Sequence, residues 1–399
     1  MLKNIQEKLA QNNVNYIYLN FIDLAGDVCS KGVLTHELIR TEHISINNGI
    51  SVNGGIVNNG KMGNWLLLRP IIDSFDVIEL CGAEKKIAYF LCDIVNSRLD
   101  SRDILSKAEL YAKQNGYVPF CGLSLTYKML ESQTSAGDNY HTILGSPNNL
   151  LHLDIMDTLQ KSNFDVEAFM QMESSYNGIE FVPETLLKSV DKLLLSRWIS
   201  KLVAERYNYK IQYGSPTPLM YPIHLSVWNT KKNKNLFFDP DGDMELSEIG
   251  RSFIAGVLAN FDIIDLIIKA LSFEKKSFLI TKNISNSNDN SFLCCPLYFI
   301  EKEKHERIGW SKRVLIRGIT PETNLYIVLA AIVLFGINGI VQKIKMEDYI
   351  DSVHNNESIP VPQKIEYLKN NELLRDVFGR AFVDYIVEES VKKHETNNR

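Results

Sequence analysis

The sequence predicts an α+β protein with a small β-rich domain at its start. Apolar and polar residues alternate over residues 14–34 with a turn at Gly26, and further strand patterns occupy Val77–Leu80 and Ile87–Ile94. Beyond residue 100, strand and helix patterns mix along the chain, which is typical of α+β folds. A chain of 399 residues is long enough for two domains.

Helices are predicted where apolar residues recur at helical spacing. The first occupies Asp100–Gly116, with the aspartate as its start and the glycine as its stop. Longer helices are predicted over Pro183–Tyr207 and Ser247–Leu271, and amphipathic helices close the chain over Pro360–Lys393. The most apolar stretch, Leu325–Ile337, has about 13 residues, whereas a membrane span needs about 20. We therefore expect a buried helix there.

Two further strands and three loops are predicted in the larger part of the chain. The strands occupy Val118–Met129 and Ile211–Trp228, where apolar residues alternate with polar ones. Stretches rich in Asn, Ser and Lys predict loops over residues 131–148, 229–243 and 281–292.

Composition excludes several classes of partner and setting. The net charge of −5 gives no electrostatic footprint for nucleic acid or for an anionic membrane, so we expect neither as a partner. The six cysteines are scattered without a C-x-x-C pair, and the first eight residues lack the apolar core of a signal peptide. These features favour a reducing, cytoplasmic setting. The phosphate-binding motifs G-x-x-x-x-G-K-[ST] and G-x-G-x-x-G are missing from the sequence.

One block near the C-terminal third carries a family resemblance. Arg317–Tyr326, followed by the apolar stretch Ile327–Ile340, resembles the R-x-P-D-x-x-x-N-P-Y-L-x-x-A-A…G-x-x-G-I block of the glutamine synthetase family. Four other blocks resemble family motifs in the same order, over about 390 residues. They are Phe21–Gly26, Asp100–Asp103 with Gly116 and Tyr117, Asn235–Asp239 with Leu246–Gly256, and Ile359–Glu388.

The resemblance implies a fold, an assembly and a chemistry. It implies a small N-terminal β-grasp domain over residues 1–98 and a glutamine-synthetase-type catalytic domain, a partial antiparallel β-barrel with surrounding helices, over residues 99–399. A known member forms stacked rings with active sites between neighbouring subunits, so a homo-oligomeric ring or co-assembly with a paralogue is implied. The family transfers the γ-phosphoryl group of ATP to a carboxylate with two divalent cations, after which an amine displaces the phosphate. Mg²⁺ and ATP are thus the implied cofactors.

The metal-binding positions of the family are only partly kept. Leu123 and Leu125 stand where the family's E-x-E-F strand has two glutamates, and Leu315 replaces its last metal glutamate. Leucine offers no ligand atom to a hard cation. Glu173 and Glu180 match the two glutamates of E-x-x-P-G-Q-x-E, so the resemblance makes them the candidate metal ligands. A solvated acidic loop is the alternative interpretation of this pair.

The substrate-binding segment is also altered. Ser215–Ser226 corresponds to the family's K-P…G-x-N-G-S-G-x-H-x-H, shortened by about four residues and without its glycines. Pro222 replaces the first histidine, which leaves His224 as the second. The resemblance makes His224, Ser226 and Asn324 the candidate substrate-binding or nucleotide-binding residues. A structural role for His224 and for Asn324 is the alternative.

Three residues are candidates for catalysis by the same resemblance. Lys312 occupies the position of the family's catalytic arginine, Arg317 matches a family arginine, and Asp23 matches an aspartate at the subunit boundary. Lysine does not replace arginine fully around a phosphoryl group because it lacks the planar, five-donor fork.

Two functions follow from this pattern. The first is a catalytically degenerate glutamine synthetase homologue, a pseudoenzyme kept as an oligomeric scaffold, a regulator or the partner of an active paralogue. It is motivated by the loss of one whole cation site, because phosphoryl transfer depends on positioning and charge neutralisation. The alternative is a divergent ATP-dependent ligase that joins a non-glutamate acid to an amine, with the remaining polar side chains around one cation. The loop Glu131–His141 would supply a missing acid if it folded into the barrel mouth.

Overall fold

A computed structural model gives the fold, which is α+β as predicted. It describes residues 2–36, 44–47, 65–80, 86–95, 97–130, 147–171, 176–214, 223–271, 281–285, 291–294, 312–317, 319–321, 323–350 and 359–397. By contacts the chain divides into two compact units. The first contains Met1–Asp100, Ser124–Val182 and Val190–Pro216, and the second contains Ser101–Leu123, Pro183–Ser189 and Thr217–Arg399. Each unit combines several separate stretches of the chain, so this division does not test a single boundary. The predicted domain boundary between residues 98 and 99 stays a prediction.

The described residues form the following strands and helices. The strands are β1 (Tyr16–Ile22), β2 (Val28–Leu34), β3 (Ile44–Asn47), β4 (Trp65–Pro70), β5 (Asp76–Ile78), β6 (Ile87–Ile94), β7 (Tyr117–Gly122), β8 (Ser124–Leu130), β9 (Val166–Gln171), β10 (Tyr176–Phe181), β11 (Glu184–Thr185), β12 (Lys210–Tyr213), β13 (Ile223–Asn229), β14 (Thr281–Ser285), β15 (Ser291–Cys294) and β16 (Val314–Ile316). The helices are α1 (Leu2–Gln11), α2 (Ser101–Gln114), α3 (Pro147–Lys161), α4 (Leu186–Arg206), α5 (Glu248–Ala259), α6 (Phe261–Leu271), α7 (Leu325–Gln342), α8 (Glu347–Ile350), α9 (Val361–Asn370), α10 (Glu372–Val377) and α11 (Arg380–Asn397).

The first unit contains two sheets. One has the order β2-β1-β6-β4-β3, with β5 paired to β6, and its β1 and β2 are joined by a turn at Gly26 with φ 89°. Only glycine adopts this conformation without a steric cost, which explains the predicted turn. The other sheet is antiparallel, with the order β12-β8-β10-β9. The strands predicted within residues 14–34 and over Ile87–Ile94 are confirmed, whereas the strand predicted over Val77–Leu80 occupies Asp76–Ile78.

The second unit is built on a six-stranded sheet of order β11-β7-β13-β16-β15-β14. Its buried helix α7 is the apolar stretch for which a buried helix was predicted. Among the described residues it alone has the length and composition of a membrane span, yet 83% of it is buried inside the protein. Burial of this kind is typical of the core helix of a globular protein.

Helices α5 and α7 approach each other closely at three glycines. A methyl group on Gly256 would lie 2.7 Å from the Cα atom of Gly339 and would overlap the carbonyl oxygen of Phe335. One on Gly339 would overlap the carbonyl oxygen of Ser252, again a backbone atom. Gly336 leaves room for the ring of Phe253. Because backbone cannot step aside as a side chain does, this crossing requires glycine.

Several predicted boundaries are wrong. The strand predicted over Val118–Met129 is two strands, β7 and β8, which belong to different sheets with Leu123 between them. The strand predicted over Ile211–Trp228 likewise divides into β12 and β13, with residues 215–222 outside the described part. Alternation of apolar residues has the same period in any sheet, so it does not reveal where a chain changes sheets.

The helix and loop predictions have similar outcomes. The helix predicted over Ser247–Leu271 is broken at Asn260, whose side chain donates to the carbonyl of Gly256, 2.9 Å away. The loop predicted over residues 281–292 contains β14 and the start of β15, which is a correction. Most of the loop predicted over residues 131–148 lies outside the described residues.

Candidate functional site

Two of the three candidate binding residues, His224 and Ser226, lie on strand β13, which has one apolar and one polar face. Ile223, Leu225 and Val227 are fully buried on one side. Because strand side chains alternate, His224, Ser226 and Trp228 lie on the other side, called the site face below.

The neighbouring strands place two small or apolar residues beside His224. In the antiparallel register, Gly122 of β7 and Leu315 of β16 lie directly opposite His224, one on each side. Opposite residues share a face of the sheet, so Leu315 is on the site face. A methyl group on Gly122 would lie 3.3 Å from Cβ of His224, a tight contact. His224 is thus flanked by hydrocarbon and by a glycine rather than by carboxylates.

The imidazole of His224 is neutral at neutral pH. Burial, followed by the nearby positive charge of Arg313, lowers the pKa of His224 to about 4. A neutral imidazole has the form that ligates a metal, but a cation site needs further donors around it.

Ser226 is engaged by its own strand. The indole Nε1 of Trp228 donates to Oγ of Ser226 over 2.9 Å. The Trp228 ring lies 5.5 Å from the ring of Phe120, the β7 residue opposite Ser226, and the ammonium of Lys232 lies 6.0 Å from that Phe120 ring. The alternation that places His224 and Ser226 on one face of the strand places Trp228 there too. The sequence alone therefore indicates this aromatic neighbour, although Trp228 is not one of the candidate residues.

Lys312 is turned inward. Its side chain is fully buried, and its Nζ lies 3.4 Å from a carboxylate oxygen of Glu245. The Lys312 carbonyl also accepts a hydrogen bond of 2.6 Å from the amide of Asn235. These contacts tie the start of β16 to the loop before α5. The catalytic role suggested for Lys312 stays a prediction, as does that of the buried Arg317 just after the strand.

Asn324 performs a structural task at the start of helix α7. It is the N-cap residue, and its side-chain oxygen accepts from the backbone N–H of Ile327 at 3.4 Å. Capping of this kind satisfies a helix N–H that has no partner within the helix. Its predicted contact with a nucleotide stays a prediction.

The candidate metal residues lie in the first unit, where only one of them is described. Glu180 of β10 lies opposite Ser124 of β8, whereas Leu125 lies opposite Ile179. Glu180 and Leu125 therefore point to opposite faces of this sheet. Glu173 lies outside the described residues. The predicted metal ligation by Glu173 and Glu180 stays a prediction.

Asp23 lies in the turn between β1 and β2. Its carboxylate accepts from the backbone N–H of Asp27 over 2.8 Å. Burial, with a smaller effect of the nearby Asp27 charge, raises the pKa of Asp23 to about 7. Asp23 adjoins the sheet that contains β1 and β2, whereas Glu180 belongs to the other sheet of the first unit.

Comparison with known proteins decides the family. The family model described as "Glutamine synthetase, catalytic domain" matches residues 98–399, which is more than half of the chain. The chain belongs to the glutamine synthetase family. It is similar to the glutamine synthetase of Thermotoga maritima, with 23% identity over 98% of this chain and 95% of that protein. It is also similar to that of Sulfolobus acidocaldarius, with 25% identity over 96% of this chain and 94% of that protein.

Membership in the glutamine synthetase family confirms the predicted family and fold class. Members use ATP and divalent metals and are generally oligomeric. Among the described residues, no three His, Cys, Asp or Glu side chains group together.

Proposed function

We propose that this glutamine synthetase homologue is catalytically degenerate and is retained as a scaffold, a regulator or the partner subunit of an active paralogue. The observation that carries the proposal is the pairing of His224 with Gly122 and Leu315 on the site face. Leu315 occupies a position at which the family has a metal-binding glutamate. Hydrocarbon there favours a closed sheet over a cation site.

The chemistry of the family explains why this substitution matters. Bound Mg²⁺ supplies neutralisation of the phosphate charge, and almost all catalysis of phosphoryl transfer is positioning and electrostatics. In this chain the neutral His224 adds no positive charge. Lys312, at the family's arginine position, directs its ammonium to Glu245 rather than outward. These residues support the fold without supporting the transfer.

The proposed role places the protein in an assembly. We expect a homo-oligomeric ring, or a mixed ring with a paralogue, in the cytoplasm. Asp23 supports this part of the proposal, because it is at the family's subunit-boundary position and shapes a tight turn through Asp27. A role of this kind depends on surfaces rather than on turnover.

The test is ATP binding and hydrolysis by the purified protein. Calorimetry with and without Mg²⁺, and ADP release with panels of acids and amines, would be run beside the Thermotoga maritima glutamine synthetase as the active control. We expect neither Mg²⁺-dependent binding at millimolar ATP nor ADP release, while light scattering reports an assembled oligomer.

The same experiment identifies the alternative. Mg²⁺-dependent ATP binding that is weakened by Glu180→Ala or Glu173→Ala, together with ADP release that requires an acid and an amine, would overturn the proposal. That result would establish a divergent amide-forming ligase. Glu248→Ala, an exposed acidic position in the second unit, is the matched control for the loss of one carboxylate.

A further inference from the structure

A buried tyrosine–histidine pair lies in the first unit, whereas the site face belongs to the second. The hydroxyl of Tyr127 on β8 is 2.6 Å from Nδ1 of His152 on helix α3. Tyr127 is fully buried and His152 is 4% exposed. A hydrogen bond between two buried side chains of different elements fixes how the helix sits on the strand.

The protonation of the pair follows from its burial. Burial raises the pKa of Tyr127 well above its ordinary value, so its hydroxyl keeps the proton. The hydroxyl donates to Nδ1, which leaves the imidazole proton on Nε2. Among the described residues, Nε2 of His152 has no hydrogen-bond partner, and it is shielded from water. Even when the pair is neutral, the buried Nε2–H of His152 therefore has no acceptor among the described residues.

Among the described residues, no charged group shifts the pKa of His152; Glu167 shares the face of β9 that carries Phe169, but it is exposed. The elements packed against it present Tyr127 and the ring of Phe169, whose centroid is 5.8 Å from that of His152. Tyr213 of β12 lies opposite Tyr127. Of the acids on the helix, Asp154 accepts a hydrogen bond from Tyr207 and Asp157 is exposed. Burial is the single cause that lowers the pKa of His152, to about 4.

We propose that Tyr127 and His152 form an acid-sensitive latch that holds helix Pro147–Lys161 on the four-stranded sheet, and that protonation of His152 detaches this helix. An imidazolium in this position would be a buried cation without a counter-charge, which is strongly unfavourable. In water the same group is fully solvated. The detached helix therefore gains the proton more readily than the docked one.

The direction of the pH effect follows from the two states. The docked state takes up the proton only near pH 4, whereas a solvated histidine does so near pH 6.5. Docking is thus unaffected above about pH 6.5 and is progressively lost as the pH falls from there towards 4. By this linkage, the docking equilibrium weakens about 30-fold between pH 7.5 and pH 5.

The test is hydrogen exchange of residues 147–161, followed by mass spectrometry on the full chain between pH 7.5 and pH 5. After correction for intrinsic exchange chemistry, we expect about a 30-fold loss of protection in this helix at pH 5. Helix Leu186–Arg206 serves as the internal reference and keeps its protection.

Two variants separate titration from packing. His152→Gln retains a side chain that can bond to Tyr127 but takes up no proton, so the pH dependence should vanish. His152→Phe removes the titration with a ring of similar size, in case the glutamine is poorly accommodated. His224→Gln is the matched control, since it removes a half-buried histidine of similar pKa in the other unit. It should leave the pH dependence of residues 147–161 intact.

The outcomes that overturn the latch are specific. Unchanged protection of residues 147–161 down to pH 5 in the wild-type chain would do so. An equal loss of protection in the wild-type chain, His152→Gln and His152→Phe would also do so, because the effect would then come from other groups.

Discussion

Helix α7 and the site face belong to the same unit, yet they relate differently to the family pattern. Along the helix crossing, Gly256 and Gly339 match glycines of the family blocks and touch through backbone atoms. On the site face, the family resemblance places Leu315 at the position of a glutamate, and Leu315 lies opposite His224. One region keeps its residue types and the other has exchanged them.

The difference shows which constraint acts on each region. Any side chain larger than hydrogen at the crossing would collide with backbone, so the fold itself requires glycine. Leu315 is only half-buried at an ordinary strand position, and a leucine or a glutamate fits the strand there. Only chemistry could have demanded the carboxylate. The strand therefore accommodates leucine here without a compensating change.

Gly256→Ala tests the crossing and has the largest expected effect. The added methyl group would meet the carbonyl of Phe335 and the Cα of Gly339, so the two helices must move apart. We expect the free energy of unfolding to fall by about 3 kcal/mol. Chemical denaturation measures this.

Gly32→Ala is the control for the crossing. Its nearest neighbour would be a ring carbon of Tyr18, at an ordinary 3.9 Å. A cost for Gly256→Ala no larger than that for Gly32→Ala would show that the glycines are not needed for helix packing.

Lys312→Met tests whether the family's arginine position now serves the fold. Methionine keeps the length and the apolar stem but removes the charge that contacts Glu245. We expect a loss of about 2 kcal/mol, less than for a fully buried pair because Glu245 is partly exposed. Thermal and urea unfolding would be compared with Lys231→Met, an exposed position expected to change stability by under about 0.5 kcal/mol. If Lys312→Met leaves the stability unchanged, the structural role is wrong and the predicted catalytic role of Lys312 is favoured.

Asn324→Ala tests the helix cap. It removes the acceptor for the N–H of Ile327, so we expect a loss of about 1 kcal/mol in unfolding free energy. Asn324→Asp keeps the hydrogen-bond acceptor, and its negative charge is favourable at a helix N-terminus. This variant should therefore keep most of the stability that the alanine variant loses. If the aspartate and alanine variants are equally destabilised, the capping role is wrong.

Leu315→Glu tests the site face with the smallest effect on stability. A carboxylate opposite His224 stabilises the imidazolium, so the pKa of His224 should rise by about one unit or more. NMR titration of the histidines measures this shift, with Leu315→Gln as the uncharged control. The same pKa of His224 in both variants would mean that residues 224 and 315 do not share a face.

The helices and the first strands were predictable because their patterns are local. Helix Leu186–Arg206 lies inside the predicted range, and β6 has the predicted bounds. The change of sheet at Leu123 was not predictable, because strand pairing is decided by distant partners. The same holds for β14 and β15, where polar composition alone predicted a loop.

The candidate site was predictable in its residue types but not in its contacts. Spacing alone places His224 and Ser226 on one face of a strand. The inward turn of Lys312 depends on Glu245, which is 67 residues away. The pairing of Tyr127 with His152 joins a strand to a later helix, and no local signal in the sequence marks it.

The hydrogen bond from Trp228 to Ser226 means that the indole competes with any ligand for the Ser226 hydroxyl, and that indole fluorescence can report ligand binding. A ligand that uses the Ser226 hydroxyl as an acceptor competes with the indole, at a cost of about 1 kcal/mol if it displaces it. Such a displacement also changes the surroundings of the indole, so fluorescence that is lost in Trp228→Phe would report occupancy without a label. Small molecules can thus be screened for binding to this face without an activity assay.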